Sequence, residues 1–182
     1  HPKDIYGAAK LSSEHLIRAY HSIFDIPATI VRPSALYGPR CINRRISQIF
    51  LENAIQGKPC TVEGDGSDRL DFTFVEDVAE GLALMLERPE ALHQTFNLTY
   101  GSSRSVMDLV EAIRQVFPDV QVKFKPIDKT KPRRGTLNIS KARQLLGFEP
   151  KYSLEKGFPV YANWYREQGY FAARKAVTVA SS

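Results

Sequence analysis

Tyr6 and Lys10 stand at the two ends of the stretch Tyr6-Gly7-Ala8-Ala9-Lys10, at the head of a segment with helical spacing. On a helix, residues one turn apart share a face, so the ammonium of Lys10 comes close to the phenol of Tyr6. A free phenol has a pKa of about 10 and is a poor base at neutral pH, but a nearby cation favours its phenolate form. A tyrosine so placed can take a proton from a hydroxyl group and return it. The same two residues would also serve as an aromatic ring and a lysine stem packed on a helix surface, and five residues alone leave both readings open.

Two basic clusters offer a second kind of chemistry. Arg40, Arg44 and Arg45 form one, Lys129, Lys131, Arg133 and Arg134 the other, and together they concentrate the net charge of +5. Both suit phosphate groups, and both suit a solvated face. No aromatic-rich RNA-binding motif or finger spacing accompanies them, which argues against nucleic acid as a partner. Cys41 and Cys60 lack a CxxC or paired histidines nearby, so neither a metal site nor a disulfide framework is supported, and both read as free thiols.

The elements that must position these groups belong to a chain of 182 residues, 43% hydrophobic and 25% charged, the composition of one soluble globular domain with a core. Its apolar runs are too short to span a membrane, and the start His1-Pro2-Lys3-Asp4 lacks a signal-peptide layout, so the expected compartment is the cytoplasm. Apolar positions at helical spacing predict a helix over 5–24, ended before Pro27, then a short buried strand at 28–32. Residues 33–45 carry Pro, Gly and Asn without a period and read as a functional loop. A helix over 46–56 stops at Gly57, and strands are expected at 60–63 and 70–75 around the turn Gly64-Asp65-Gly66-Ser67-Asp68. Asp77 reads as the N-cap of a helix over 78–87. A strand at 95–99 and a helix from Ser105 to about Phe117 follow, the latter with Asp108 where a capping box wants Glu or Gln. Next come a strand at 120–125, a basic loop at 126–136, a short helix capped by Ser140 and stopped at Gly147, and a last helix capped by Ser153 and running through Glu167. Residues 172–182 read as a frayed tail.

The succession YGAAK, RPSALYGPR, GKP, GDGSDRLDFTFVEDVAEG, TFNLTYG and SKARQLLGFEP resembles the C-terminal half of the extended short-chain dehydrogenase/reductase family, the NAD-dependent nucleotide-sugar epimerases and dehydratases. The resemblance covers about residues 1–168 and rests on six motifs in the same order. It implies an α/β fold: the end of a Rossmann-type NAD domain over 1–45, a small α+β substrate-binding domain mainly over 46–168, and a flexible tail over 169–182. The Gly-rich turn that cradles the NAD pyrophosphate in that family is absent from these residues, as is the stretch holding its catalytic Ser or Thr. The chain is therefore expected to be a fragment that lacks the N-terminal Rossmann segment. The family resemblance also implies a homodimer for the intact protein.

Carried over position by position, the resemblance makes Tyr6 the general base, with Lys10 lowering its pKa and bonding the nicotinamide ribose, and it puts Pro33 beside the nicotinamide. The family commonly has Asn where Ala35 stands, so the sugar would be held differently here. Arg45 would meet the diphosphate and Ile46 would cover the base, while Thr61 and Glu63 match the strand along the nucleoside. Arg69, Asn97 and Arg134 match the remaining phosphate and nucleoside positions, a role to which the planar guanidinium fork is suited. Arg69 is displaced by one residue, because Leu70 separates it from Asp71-Phe72. On a regular strand that offset turns the side chain to the other face unless a bulge restores it.

The activity implied for the intact protein is NAD-dependent epimerisation of a nucleotide-diphosphate sugar through a transient keto-sugar. Dehydration or decarboxylation by the same family is the chemical alternative. A catalytically inert nucleotide-sugar-binding module is the alternative of another class.

Overall fold

The computed structural model describes residues 2, 4–41, 43–128 and 133–168. The expected tail over 172–182, together with Lys129 and Lys131, lies outside the described residues. The first elements are α1 (Ile5–Phe24), β1 (Ile30–Pro33), β2 (Leu36–Tyr37), α2 (Ile46–Ile55), β3 (Cys60–Glu63), β4 (Arg69–Leu70) and β5 (Thr73–Phe74). They are followed by α3 (Val75–Glu87), β6 (Thr95–Leu98), β7 (Arg104–Ser105), α4 (Val106–Arg114), β8 (Val122–Lys125), α5 (Ser140–Leu146) and α6 (Leu154–Glu167).

α1 begins where Asp4 accepts the Gly7 N–H at 2.6 Å, and it ends at Asp25, whose left-handed φ of 52° turns the chain toward Pro27. β1 then pairs in parallel with β6, Ile30 opposite Thr95 through Pro33 opposite Leu98, and among the described residues this is its only partner strand. α3 and α5 pack on β6, and Phe96, Leu98, Ala142, Leu146 and Phe148 form one buried core, with Val31 against it. Gly81 allows that approach, since a Cβ there would stand 2.8 Å from Leu98 Cδ1 and 3.1 Å from Phe148 Cε2.

A second core lies under α2, α4 and α6. It gathers Phe50, Leu51, Cys60, Val62, Phe72, Phe74, Leu109, Ile113, Phe158 and Tyr161. Fully burying each large apolar side chain of this kind contributes about 1.5–3 kcal/mol. β3 and β8 pair in parallel over it, β2 pairs in parallel with β5, and β4 pairs antiparallel with β7. Gly157 lets the buried Tyr37 ring lie directly against the backbone of α6, in space that any Cβ would occupy.

Several expectations need correction. Asp77 is not an N-cap: α3 starts at Val75, and the Asp77 carboxylate instead accepts the N–H groups of Lys151 at 2.8 Å and Tyr152 at 3.1 Å. That long-range pair leaves no local trace in the sequence. Ser140 is the first helical residue, and its N–H is taken by Asn138 Oδ1 at 2.8 Å. The expected strand over 70–75 divides into β4 and β5, with Asp71 and Phe72 between them. α4 ends at Arg114, before Phe117, yet its capping box is complete with Asp108 accepting the Ser105 N–H at 2.7 Å. Ser153 does stand at the N-cap of α6, though without a side-chain cap bond.

Candidate functional site

Two contacts fix how α1 lies against the strands. Arg18 Nη2 meets Thr95 Oγ1 at the start of β6 at 3.3 Å, while Glu14 meets Arg32 toward the end of β1. The helix therefore runs antiparallel to β1 and β6. Lys10 and Tyr6 lie one and two turns further toward its N-terminus, at about 5.4 Å per turn, and project past the carboxyl ends of those strands. Lys10 Nζ stands 5.5 Å from the centroid of the Tyr6 ring, and Tyr6 is 68% exposed. Pro33, also exposed, closes β1 on the same side. In open α/β sheets ligands bind outside the carboxyl ends of parallel strands, and these three residues lie there.

The other expected residues sit on three supports. Arg45 is the exposed N-cap residue of α2, and Ile46 packs partly buried against the larger core. Thr61 and Glu63 lie on β3, opposite Lys123 and Lys125, and Glu63 is paired with Lys125 at 2.8 Å. In the turn beyond β3, Asp65 is held below its ordinary carboxylate range by bonds from Ser67 and by the charge of Arg133.

Residues 133–139 form the third support, with Arg134 exposed on it. Asn97 Nδ2 donates to the Asn138 carbonyl at 2.8 Å. Arg69 donates through Nε to Ser103 Oγ at 3.0 Å and through Nη2 to the Ser103 carbonyl at 2.5 Å, and the Ser103 N–H donates to Thr136 Oγ1 at 3.0 Å. The one-residue displacement thus has a structural expression. Leu70 packs toward the core, and Arg69 lies outside it, joined through Ser103 to the Arg134 segment. These bonds join Arg69 and Asn97 to the segment that carries Arg134.

Asp71 is a residue that sequence reasoning missed. Its wholly buried carboxylate accepts from Thr99 Oγ1 at 2.9 Å, the Gly101 N–H at 3.1 Å and the Leu137 N–H at 3.1 Å. It thereby ties the end of β6, the loop after it and the Arg134 segment to one point. Its only signal was an acidic residue inside an expected strand, where Asp is otherwise depleted.

Other reactive side chains are poorly placed for chemistry. Burial pushes the Cys60 thiol up to about 11, which leaves it as the thiol at neutral pH. Burial also raises the phenols of Tyr37 and Tyr161. Both cysteines are free, and among the described residues no group of three or more His, Cys, Asp or Glu could hold a metal ion. Among the same residues no helix is long and apolar enough to cross a membrane.

With this geometry in place, the chain can be set beside known proteins. The sequence profile of the NAD dependent epimerase/dehydratase family matches residues 1–99. A UDP-glucuronic acid decarboxylase 2 of Arabidopsis thaliana is 30% identical over 183 residues, which cover 99% of this chain and 41% of that protein. A dTDP-glucose 4,6-dehydratase of Xanthomonas campestris is 28% identical, covering 90% of this chain and 50% of that protein. Among solved structures, the UDP-glucuronic acid 4-epimerase of Bacillus cereus, in complex with UDP-glucuronic acid and NAD, superimposes with a TM-score of 0.86 at 28% identity, over 92% of this chain and 54% of that one. Helices flanking parallel strands are thus part of a Rossmann-type α/β fold, as the motifs implied. The chain belongs to the NAD-dependent epimerase/dehydratase family. It spans about half the length of the curated relatives it matches.

Proposed function

We propose that the intact protein is an NAD-dependent epimerase of a nucleotide-diphosphate sugar, and that the present residues carry the substrate side of its cleft. The reading rests on one observation: Tyr6 and Lys10 lie exposed past the carboxyl end of β1, whose outer edge has no partner among the described residues. Residues 1–45 then belong to the cofactor domain and 46–168 mainly to the substrate domain, with β6 returning to pair with β1. An upstream segment would add strands at the open edge and supply the pyrophosphate site. The exposed Ile5, Leu16, Tyr20, Ile23 and Phe24 of α1 offer apolar surface to that segment and to a second copy in a homodimer.

NAD, when bound, accepts a hydride from a sugar carbon and returns it. Tyr6 takes the proton from the hydroxyl on that carbon and gives it back after the carbonyl has presented its other face. Lys10 favours the phenolate of Tyr6 and would bond the nicotinamide ribose, and Pro33 would line the place of the nicotinamide. Arg45, Arg69, Asn97 and Arg134 hold the diphosphate and nucleoside, with Ile46 over the base and Thr61 and Glu63 along the nucleoside. Decarboxylation or 4,6-dehydration is the second reading, favoured by the names of the curated relatives.

The test is turnover of UDP-glucuronic acid, UDP-glucose and dTDP-glucose by the protein extended through its upstream residues, with and without Tyr6→Phe. Epimerised product and a loss of about 10²- to 10⁴-fold in the variant are expected. Carbon dioxide or a dehydrated sugar as the product would favour the second reading. Near-normal turnover by the Phe variant would overturn Tyr6 as the base.

A further inference from the structure

Glu52 is a carboxylate on the inward face of α2, only 2% exposed. Burying such a group is costly unless donors surround it. Here Tyr165 Oη donates to Oε1 at 2.8 Å, Gln48 Nε2 donates to Oε1 at 2.9 Å, and Arg44 Nη2 reaches Oε2 at 3.2 Å. Two of these donors come from the core. The third is a loop arginine whose side chain is 62% exposed.

Arg44 is also strained. Its φ is +29°, in a region that residues with a Cβ seldom occupy, and such a backbone persists only where the surroundings impose it. The contact of its guanidinium with Glu52 is one constraint that the structure shows on this residue. The next residue is Arg45, which enters α2 at φ −76° and ψ 167° without a side-chain cap bond. Arg45 thus leaves the loop directly after a residue whose side chain is tethered to the core.

We propose that Glu52 is a positioning residue, which through Arg44 holds the loop carrying Arg45 in the orientation that meets an anionic ligand. This rests on the nucleotide-diphosphate reading given above and adds a residue to it. Plain electrostatics predicts the opposite effect, since removing a carboxylate from beside an anion site strengthens anion binding. The sign of the change therefore separates the two.

The experiment uses the 182-residue chain, with uridine diphosphate as the probe. Amide protection of Ile49, whose N–H donates to the Arg45 carbonyl at 2.9 Å, is measured without ligand, and affinity by calorimetry, in wild type, Arg44→Gln, Glu52→Gln, the double variant and Tyr165→Phe. Because Arg44 is largely exposed, Arg44→Gln keeps the test open should Glu52→Gln fail to fold. Arg44→Gln and Glu52→Gln should each lower protection of the Ile49 amide by about tenfold, since its acceptor is the Arg45 carbonyl. Each should weaken uridine diphosphate by about fivefold through misplacement of Arg45, and the double variant should be no worse than either. Tyr165→Phe, which removes a different bond to Glu52, should do neither. Unchanged protection in Arg44→Gln, or tighter binding by Glu52→Gln, would overturn the proposal. Loss of protection in Arg44→Gln with no binding by wild type at millimolar ligand would uphold the tether and overturn the nucleotide reading.

Discussion

Arg32 and Glu14 form a two-pronged pair, with Nε 2.7 Å from Oε1 and Nη2 2.6 Å from Oε2, and it ties α1 to β1. No residue of α1 is buried, and the pair acts together with the Arg18–Thr95 bond and the stacking of His21 on His93 to hold the helix against the strands. The bond from Arg32 holds the Glu14 carboxyl below its ordinary value of 4.5, burial opposes this, and the charges of Arg32 and Arg18 add to the lowering.

A depressed carboxyl contributes stability above its unfolded value, and that stability is lost as pH falls through the lower folded value. The hold on α1 should therefore be full at neutral pH and fade as the pH drops below 4.5. Glu14→Gln should mimic the acid form at neutral pH. The loss is expected to be at most about 1 kcal/mol, since Arg32 is half exposed. Hydrogen-exchange protection factors of α1 amides in both proteins check this. Equal protection in the variant and wild type at neutral pH would show that the pair does not hold the helix.

Ala35 sits at φ +37° in the loop after β1. A side chain with a Cβ costs about 1–2 kcal/mol there, and Asn is among the residues that tolerate it best. Ala35→Asn should raise stability by about 0.5–1 kcal/mol, read from the denaturant midpoint. Ala35→Gly should gain less, because the added freedom of glycine in the unfolded chain offsets the relief. A lowered midpoint for Asn would show that the half-buried site has no room for the amide.

Asp71 takes three donors on two oxygens. In Asp71→Asn the amide NH2 must face at least one of them, leaving a buried donor unpaired. A loss of about 1–3 kcal/mol in unfolding free energy is expected. Chemical shifts of Thr136 to Asn138 should move with it, since Leu137 is held there. A variant as stable as wild type, with those shifts unchanged, would contradict the role of Asp71 as the anchor of that segment.

How much of this could be read beforehand follows from the range of each interaction. α1 and α6 have long helical periods and local stops, and they begin and end where the pattern predicts. The Ser105 cap was legible for the same reason, although Asp108 completes the box despite its shorter side chain. β2, β4, β5 and β7 are two residues long, too short for alternation to appear, and their pairings join distant parts of the chain. Asp71, Asp77 and Glu52 are buried carboxylates whose partners lie up to 113 residues away. Each reads locally as a surface charge or a cap, because burial of a charge is decided by donors that arrive only on folding. Among the site residues, the Tyr6 and Lys10 relation was visible from helical spacing alone, while the link from Arg69 through Ser103 to the Arg134 segment depends on tertiary contacts.

The central claim is that these residues hold the phosphate-binding side of a nucleotide-sugar cleft. Its most direct test is a calorimetric or NMR titration of UDP-glucuronic acid into the wild-type chain and into Arg134→Ala. A charge-assisted contact between arginine and phosphate should contribute about 1.5–3 kcal/mol. The account predicts weak binding by wild type that falls as salt is added, and binding at least tenfold weaker, about 1.4 kcal/mol, in the variant. Equal affinity in the two proteins, or no binding by wild type at millimolar ligand, would contradict it.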